Sequence, residues 1–380
     1  MNRTKKAISK ETFVFLAGFF AIWYYIAQTM GLVNTINTVM STGYRLLMDT
    51  VFYIMAIAVL AGAVSSLFSE FGVVALLNRL LSVFMKPLYG LPGSSALGIL
   101  TCYLSDNPAI LTLAHEKNFL KFFRKFQIPA LTNLGTSFGM GLIVSTFIMA
   151  IPSPSGESFI RSAVIGNIGA ICGSIVSVRM MLYFCRKEIG EDSLDRLTDT
   201  TAVSRERIVR EGSFMTRFLN AMLDGGKIGV DMGIAIIPGV LLICTFVLIL
   251  TNGPGEGGAY TGSAFEGIRF LPYVGEKLNF ILKPLFGFTS PECIAVPITS
   301  LGAAGAAIGL IPEMVKNGLA SGNDLAVFTA VCMCWSGYLS THVAMMDGLG
   351  YPNLIGKAIL SHTMGGLVAG IAAHWIYMIF

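Results

Sequence analysis

Read for runs of apolar and polar positions, the chain carries long apolar stretches near residues 13–31, 47–68, 127–150, 160–185, 229–251, 325–346 and 357–380. Each has the length to cross about 30 Å of hydrocarbon as a helix. Two further apolar units, about 91–115 and 288–312, are broken every few residues by Gly, Pro, Ser or Thr. A bilayer tolerates such breaks only where protein or a watery cavity covers the freed backbone groups, so both units predict re-entrant hairpins. The segments ahead of them, 73–88 and 273–286, mix Leu, Phe and Val with Arg79, Lys86, Glu276, Lys277 and Lys283, which predicts helices lying along the interface.

Both interfacial segments close on one pattern, Lys86-Pro87-Leu88-Tyr89-Gly90 and Lys283-Pro284-Leu285-Phe286-Gly287. A repeated, interrupted segment in corresponding halves is a pointer to a transporter-type binding site. The pattern divides the chain into an N-terminal helix and loop (1–44), a first repeat (45–185), a linker (186–224) and a second repeat (225–380).

Composition fixes the class: 54% of residues are apolar and 13% charged, with a mean hydropathy of +0.70, far from the roughly 25% charged of soluble domains. The expected fold is an all-α polytopic membrane protein, with about seven transmembrane helices plus two re-entrant hairpins in an inverted repeat. Membrane lipid is the implied surroundings, and a bacterial inner (cell) membrane the expected location. The net charge of +4 is dispersed between apolar runs, which argues against a nucleic-acid partner.

Basic residues concentrate at the amino terminus, over Lys117–Lys125 and over Arg186–Arg217, which are therefore expected to be cytoplasmic. Ile151–Ser158 and Asn252–Ser263, nearly free of Lys and Arg, fall outside. On this count the first hairpin enters from the cytoplasmic side and the second from the outside, so the repeats are inverted. Arg3, Lys5 and Lys6 precede an apolar run without a convincing cleavage site, which reads as an uncleaved first helix. The seven cysteines are scattered through apolar runs, with no disulfide framework or zinc spacing.

Aligned on the repeated pattern without a gap, Pro92-Gly93-Ser94-Ser95 stands against Thr289-Ser290-Pro291-Glu292, and Thr101 to Ser105 against Ile298-Thr299-Ser300-Leu301-Gly302. Each hairpin has a polar mouth and a polar or small-residue tip. Helix ends exposed at such a tip offer amides to anionic groups and carbonyls to cations. Candidate ligands are Ser94, Ser95, Ser105, Asp106 and Asn107 in the first hairpin, and Ser290, Glu292, Thr299 and Ser300 in the second. Glu292 stands out because a carboxylate in an apolar segment costs a few kcal/mol on insertion scales; helix capping by Ser290 and Glu292 is the alternative. Asp106-Asn107-Pro108 equally reads as a capped turn. The span after each hairpin has a small polar face, Asn133, Thr136 and Ser137 in one and Ser336, Ser340 and Thr341 in the other. That face suits a cavity lining or close helix packing. His342, Asp347 and His362 are candidates for a proton relay or a metal site, though their spacing matches no compact ligand motif. Glu116 and Glu313 sit at the exits of the hairpins, where capping or solvation accounts for them. No nucleotide loop, nucleophile elbow or zinc-protease motif is present, so neither an enzyme nor an ATP-driven pump is expected.

The Lys-Pro-Leu-aromatic-Gly lead into a Gly/Ser-rich hairpin resembles the nucleoside-recognition "Gate" domain family. Ser105-Asp106-Asn107-Pro108-Ala109 is similar to the same region in the Gate domains of the ferrous iron transporter B membrane part. Related hairpin-plus-helix repeats build the concentrative nucleoside transporters. The resemblance covers about residues 45–150 and 225–350 and implies a small-molecule substrate bound between the hairpin tips and the following helices, coupled to Na⁺ or H⁺ and needing no cofactor. Glu292 matches the acidic hairpin residue of many of these proteins, and Ser95 holds the matching place in the first repeat. The nucleoside transporters' Gln-Thr-Glu hairpin signature is absent, as is the iron transporter's GTPase domain. A homo-oligomer is expected. The competing expectation is a non-transporting envelope or sporulation-related assembly protein, with which some Gate-domain relatives are associated.

Overall fold

The computed structural model describes residues 7–115, 117–120, 122–154, 156–190, 209–336 and 338–380. Glu116 and the middle of the linker lie outside the described residues, as does the side chain of Ser340. Among the described residues the chain is helical, with no strand. The first half comprises α1 (Lys10–Met30), α2 (Leu32–Arg45), α3 (Phe52–Glu70), α4 (Val73–Phe84), α5 (Ser95–Leu104), α6 (Pro108–His115), α7 (Lys117–Leu120), α8 (Ala130–Thr136), α9 (Gly141–Ala150) and α10 (Ile160–Ile189). The second comprises α11 (Phe214–Gly239), α12 (Thr245–Thr251), α13 (Phe270–Phe286), α14 (Ala295–Ser300), α15 (Ala304–Lys316), α16 (Gly322–Cys334), α17 (Tyr338–Gly348) and α18 (Ile355–Ile379). Short π-helical turns interrupt the path at Leu46–Val51, Met85–Tyr89 and Val240–Cys244.

Six helical stretches among the described residues are long and apolar enough to cross a membrane: Lys10–Met30, Leu32–Glu70, Lys125–Ala150, Ile160–Ile189, Phe214–Thr251 and Pro352–Ile379. The apolar run 325–346 is instead two shorter helices, α16 and α17, with the break after Cys334. The run 127–150 is divided in the same way, α8 ending at Thr136 and α9 starting at Gly141. A helix not expected from hydropathy, α2, precedes α3 and buries Thr35, Thr38 and Thr42.

The repeated five-residue pattern has one structural meaning in both halves. Gly90 (φ 71°, ψ 21°) and Gly287 (φ 65°, ψ 28°) are left-handed and end their helices, donating to the carbonyls of Lys86 and Lys283 at 3.0 and 2.8 Å. Glycine takes this conformation without the penalty a Cβ brings. The carbonyl that follows is captured by an amide at nearly the same distance along the chain. Gln127 donates to Gly90 O and Asn323 to Gly287 O, both at 3.0 Å and with separations of 37 and 36 residues. α10 and α18 back these caps: Arg179 donates to Leu88 O at 2.8 Å, and His374 pairs with Asn323 at 2.8 Å. The repeat is thus one of hydrogen bonding as well as sequence.

The halves interlock across two glycine seams. Between α3 and α11, a Cβ on Gly62 would lie 2.4 Å from Gly225 O, and one on Gly229 2.4 Å from Ala58 O. Between α10 and α18, a Cβ on Gly173 would lie 2.3 Å from Gly365 O, and one on Gly169 2.6 Å from Ala369 O. Small residues let membrane helices approach to backbone contact. α16 lies against α10 and α18 and is buried along its whole length. Where the chain returns from the linker, Arg210 and Arg217 pair with buried Glu70 at the end of α3, at 2.8 and 2.7 Å.

Candidate functional site

Both interrupted units are helical hairpins. In the first, α5 ends at Ser105, the chain turns at Asp106 and Asn107, and α6 returns from Pro108, whose fixed φ suits a first helical position. In the second, α14 ends at Ser300, the turn is Leu301–Ala303 and α15 returns. The limbs of each hairpin pack on one another.

The two tips and the two helix breaks converge on a cavity of about 250 Å³. Asp106 and Asn107 line it from tip 1, and Gly302 to Ala306 from tip 2 and the start of α15. Met140 comes from the break between α8 and α9, Ser336 and Thr341 from the break and helix beyond α16, and Met232 to Gly239 from α11. Met140 is left-handed (φ 57°), an uncommon conformation for a residue with a side chain and one that clusters at functional sites.

Asn107 ties the site together. It is buried, and its Nδ2 donates to Ser336 O and, at 3.3 Å, to Ser336 Oγ, 229 residues along the chain. The broken segment after α16 thereby finds a partner for one of its freed carbonyls. Asn107 Oδ1 has no hydrogen-bond partner among the described residues and lies where a Cβ on Gly139 would be, 1.7 Å away. Asp106 accepts from Asn107 N at 2.7 Å.

The other candidates take different positions. Ser94 and Ser95 stand at the mouth of the first hairpin, where Ser95 donates to Pro92 O at 2.6 Å. Ser105 caps α5 by donating to Thr101 O at 2.7 Å. Asn133 bridges helices, its Nδ2 donating to Ser177 Oγ and Ala358 O, both at 3.0 Å. Thr136, Ser137, Thr299 and Ser300 turn their hydroxyls to their own helix, onto the carbonyls of Thr132, Asn133, Ala295 and Pro297, each at 2.7 Å. Ser290 stands at the first position of the turn opening the second hairpin without a side-chain capping bond, its hydroxyl 3.7 Å from Cys293 Sγ, and Glu292 beside it meets Arg269 at 3.5 Å at that hairpin's mouth. Of the fourteen candidates named from sequence, Asp106, Asn107 and Ser336 line the central cavity. Met140 and the Met232–Gly239 wall escaped the sequence reading, since nothing in their residue types marks them. The Phe138-Gly139-Met140-Gly141 spacing is the one signal at the first break.

His342 and His362 come together behind the second break, ring centroids 4.5 Å apart, both buried, while Asp347 is exposed. A larger cavity of about 1340 Å³ lies at the far end of α15, between Tyr44–Tyr53, the 262–265 loop and Glu313–Lys316. It carries the Arg45–Asp49 pair at 3.3 Å and the Lys316–Glu313 pair at 3.6 Å, both partly or largely exposed. Despite its size it is formed away from the tips and breaks, so the smaller cavity is the better candidate site. Outside the membrane-spanning stretches, Glu266 is held by Thr261 N, Thr261 Oγ1 and Gly262 N at 2.7–3.1 Å. Burial alone would push its carboxyl up, but these hydrogen bonds outweigh it and hold the group below the usual carboxylate range.

Paired hairpins and broken helices around one central cavity define a polytopic helical membrane protein built from two repeats. In fold the chain is similar to solved structures of the concentrative nucleoside transporter CNTnw. A doubly substituted CNTnw in an outward-facing state gives a TM-score of 0.54 at 15% identity, over 100% of this chain and 95% of that one. CNTnw in an inward-facing substrate-bound state gives 0.53 at 12% identity, over 94% and 86%. A singly substituted CNTnw in an intermediate state gives 0.51 at 14% identity, over 100% and 95%. No family model and no curated protein matches the chain.

Proposed function

We propose that this chain is a secondary active transporter of a small polar solute, resident in a bacterial cell membrane and coupled to Na⁺ or H⁺. The observation that carries the reading is the central cavity, to which both hairpin tips and both helix breaks contribute. At about 250 Å³ it lies at or just below the small end of ligand pockets, with a mostly apolar wall and a few polar groups to fix orientation. Asp106, Asn107, Ser336 and Thr341 are assigned to the solute, with nucleoside-like, peptide-like or organic-anion chemistry all compatible. The likeness to CNTnw in outward-facing, intermediate and substrate-bound inward-facing states supports a fold able to present this cavity alternately to either side. The larger cavity at the far end of α15 is assigned as the outer vestibule, with Glu292 at the adjoining hairpin mouth. Lipid covers the exposed aromatic residues of α1, such as Phe13, Phe15 and Phe20, and further copies of the chain complete the assembly.

The test is uptake and counterflow in proteoliposomes, using nucleosides, dipeptides and carboxylates selected by thermal shift with and without Na⁺. Saturable movement that Asn107→Ala abolishes is the expected result. A purified, folded protein that binds and moves none of these, in cells where Asn107→Ala is without phenotype, would hand the case to the assembly-protein reading.

A further inference from the structure

The buried polar groups behind the second break have a proton order set by their partners. Carbonyl oxygens only accept, so His362 Nε2 carries the hydrogen it donates to Cys334 O, the last residue of α16. His362 Nδ1 is then the bare nitrogen and accepts from Ser177 Oγ at 2.9 Å, which in turn accepts from Asn133 Nδ2 at 3.0 Å. His342 Nδ1 donates to Tyr338 O at 2.7 Å, leaving Nε2 with its lone pair free. That nitrogen is buried and finds no hydrogen-bond partner among the described residues. It is the one bare basic nitrogen of the pair left without a donor.

The pair is joined to the cavity through the break itself. His362 holds Cys334 O from one side and Asn107 holds Ser336 O from the cavity side, while Trp335 Nε1 between them donates to His362 O at 3.2 Å. Thr341, next to His342, lines the cavity. The elements packed on α17 are α6, α8, α18 and the Pro352–Leu354 turn. From α18 the group facing His342 is His362; from its own helix it is Tyr338, with ring centroids 5.7 Å apart. α8 and the Pro352–Leu354 turn carry no titratable residue; α6 carries His115 as its last residue, and Asp106 stands ahead of α6 on the cavity side.

We propose that the His342–His362 pair is a proton-binding site, taking one proton at His342 Nε2, and that occupancy of this site is coupled to the shape of the break between α16 and α17. This rests on the transporter reading and assigns its coupling ion. The step is a protonation: an N–H bond forms at the free lone pair of His342 Nε2 as the O–H bond of a hydrated proton breaks, leaving water. A second proton is opposed by the like charge on a ring 4.5 Å away. A dry imidazolium without an acceptor is costly, so the proton is retained only in a conformation that admits water or an acceptor to His342. Binding that differs between conformations is what coupling requires.

The experiment uses full-length protein in nanodiscs with ¹³C-labelled histidine, titrated between about pH 5 and 8. The chain has four histidines. One buried imidazole is expected to titrate, its midpoint moving when a transported solute is added, with about one proton exchanged per chain on solute binding by indicator dye. His342→Gln should abolish that exchange, and His374→Gln, altering the helix cap at Gly287, should leave it intact. His342 and His362 both neutral throughout, with and without solute, would overturn the proposal while saturable solute movement kept the transporter reading alive. An imidazole that titrates and alters labelling of Thr341→Cys in a protein that moves no solute would keep the proton site and sink the transporter reading.

Discussion

The two hairpins occupy matching places in the repeats yet do opposite things at their tips. Tip 1 is polar and anchored: Asn107 reaches Ser336 and presses on Gly139. Tip 2 is smooth. Gly302, Ala303 and Gly305 face Ile243, Gly239 and Ile236, with van der Waals contacts and few directional bonds. The bond from Cys244 Sγ to Ala306 O, at 2.9 Å, joins α15 to the π-helical turn of Val240–Cys244. π-turns gather at functional sites, and two of the three among the described residues pack against α15. Recognition is therefore expected to be concentrated in one hairpin and mobility in the other, although sequence symmetry alone would divide them evenly.

The largest effect expected from this asymmetry is at Asn107. Asn107→Ala strips Ser336 O of its partner and removes a free acceptor from the cavity. Solute affinity in a binding assay should fall about 10- to 100-fold, the equivalent of roughly 1–3 kcal/mol for an unsatisfied buried group. An unchanged affinity would show that tip 1 is structural. Next comes a matched pair of glycine changes. Gly139→Ala puts a methyl on the Asn107 amide and should cost about 1–3 kcal/mol of stability by overpacking. Gly302→Ala meets its first atom at 3.5 Å and should leave both melting temperature and uptake nearly unaltered. Equal damage from the two would erase the distinction between the tips.

At the mouth of the second hairpin, Glu292→Gln removes a charge paired at 3.5 Å with an Arg269 that is 62% exposed. Such pairs contribute about 0–1 kcal/mol, so stability should barely move and uptake should change by no more than a few-fold. Abolished uptake would put Glu292 on the substrate or ion path and restore the balance between hairpins. The smallest expected effect on uptake is at Glu266, in the loop leading to Arg269. Its carboxyl is held below the usual range, so the stabilisation it brings is present above the unfolded carboxylate range and is lost as pH falls through the folded value. Wild-type melting temperature should therefore fall on the acid side, and Glu266→Gln should flatten part of that fall.

Much of this was legible in the chain. The Lys-Pro-Leu-aromatic-Gly pattern marks two helix ends because a left-handed glycine is a local requirement, readable wherever it occurs. The interruptions of 91–115 and 288–312 mark hairpins for a similar reason. The break after Cys334 was hidden, because what holds it open is remote: Asn107 and His362 take the carbonyls that α16 would otherwise have passed to a continuing helix. Asn133, Thr136 and Ser137 share a face as expected, but two hydroxyls satisfy their own helix and the amide bridges to α10 and α18. Residue type announces a need for hydrogen bonds; the choice of partner is made by packing.

The glycine seams carry one more consequence. Where backbone meets backbone, as at Gly62 and Gly225 or Gly173 and Gly365, there are no side chains whose rotamers could change to let the helices slide. α3 with α11, and α10 with α18, each act as a single strut. Deformation is left to the break between α16 and α17 and to the surface that α15 presents to α11, and a covalent crosslink from Gly305 to Ile236, replaced by cysteines, should arrest the molecule where the same crosslink across either strut would leave it free to work.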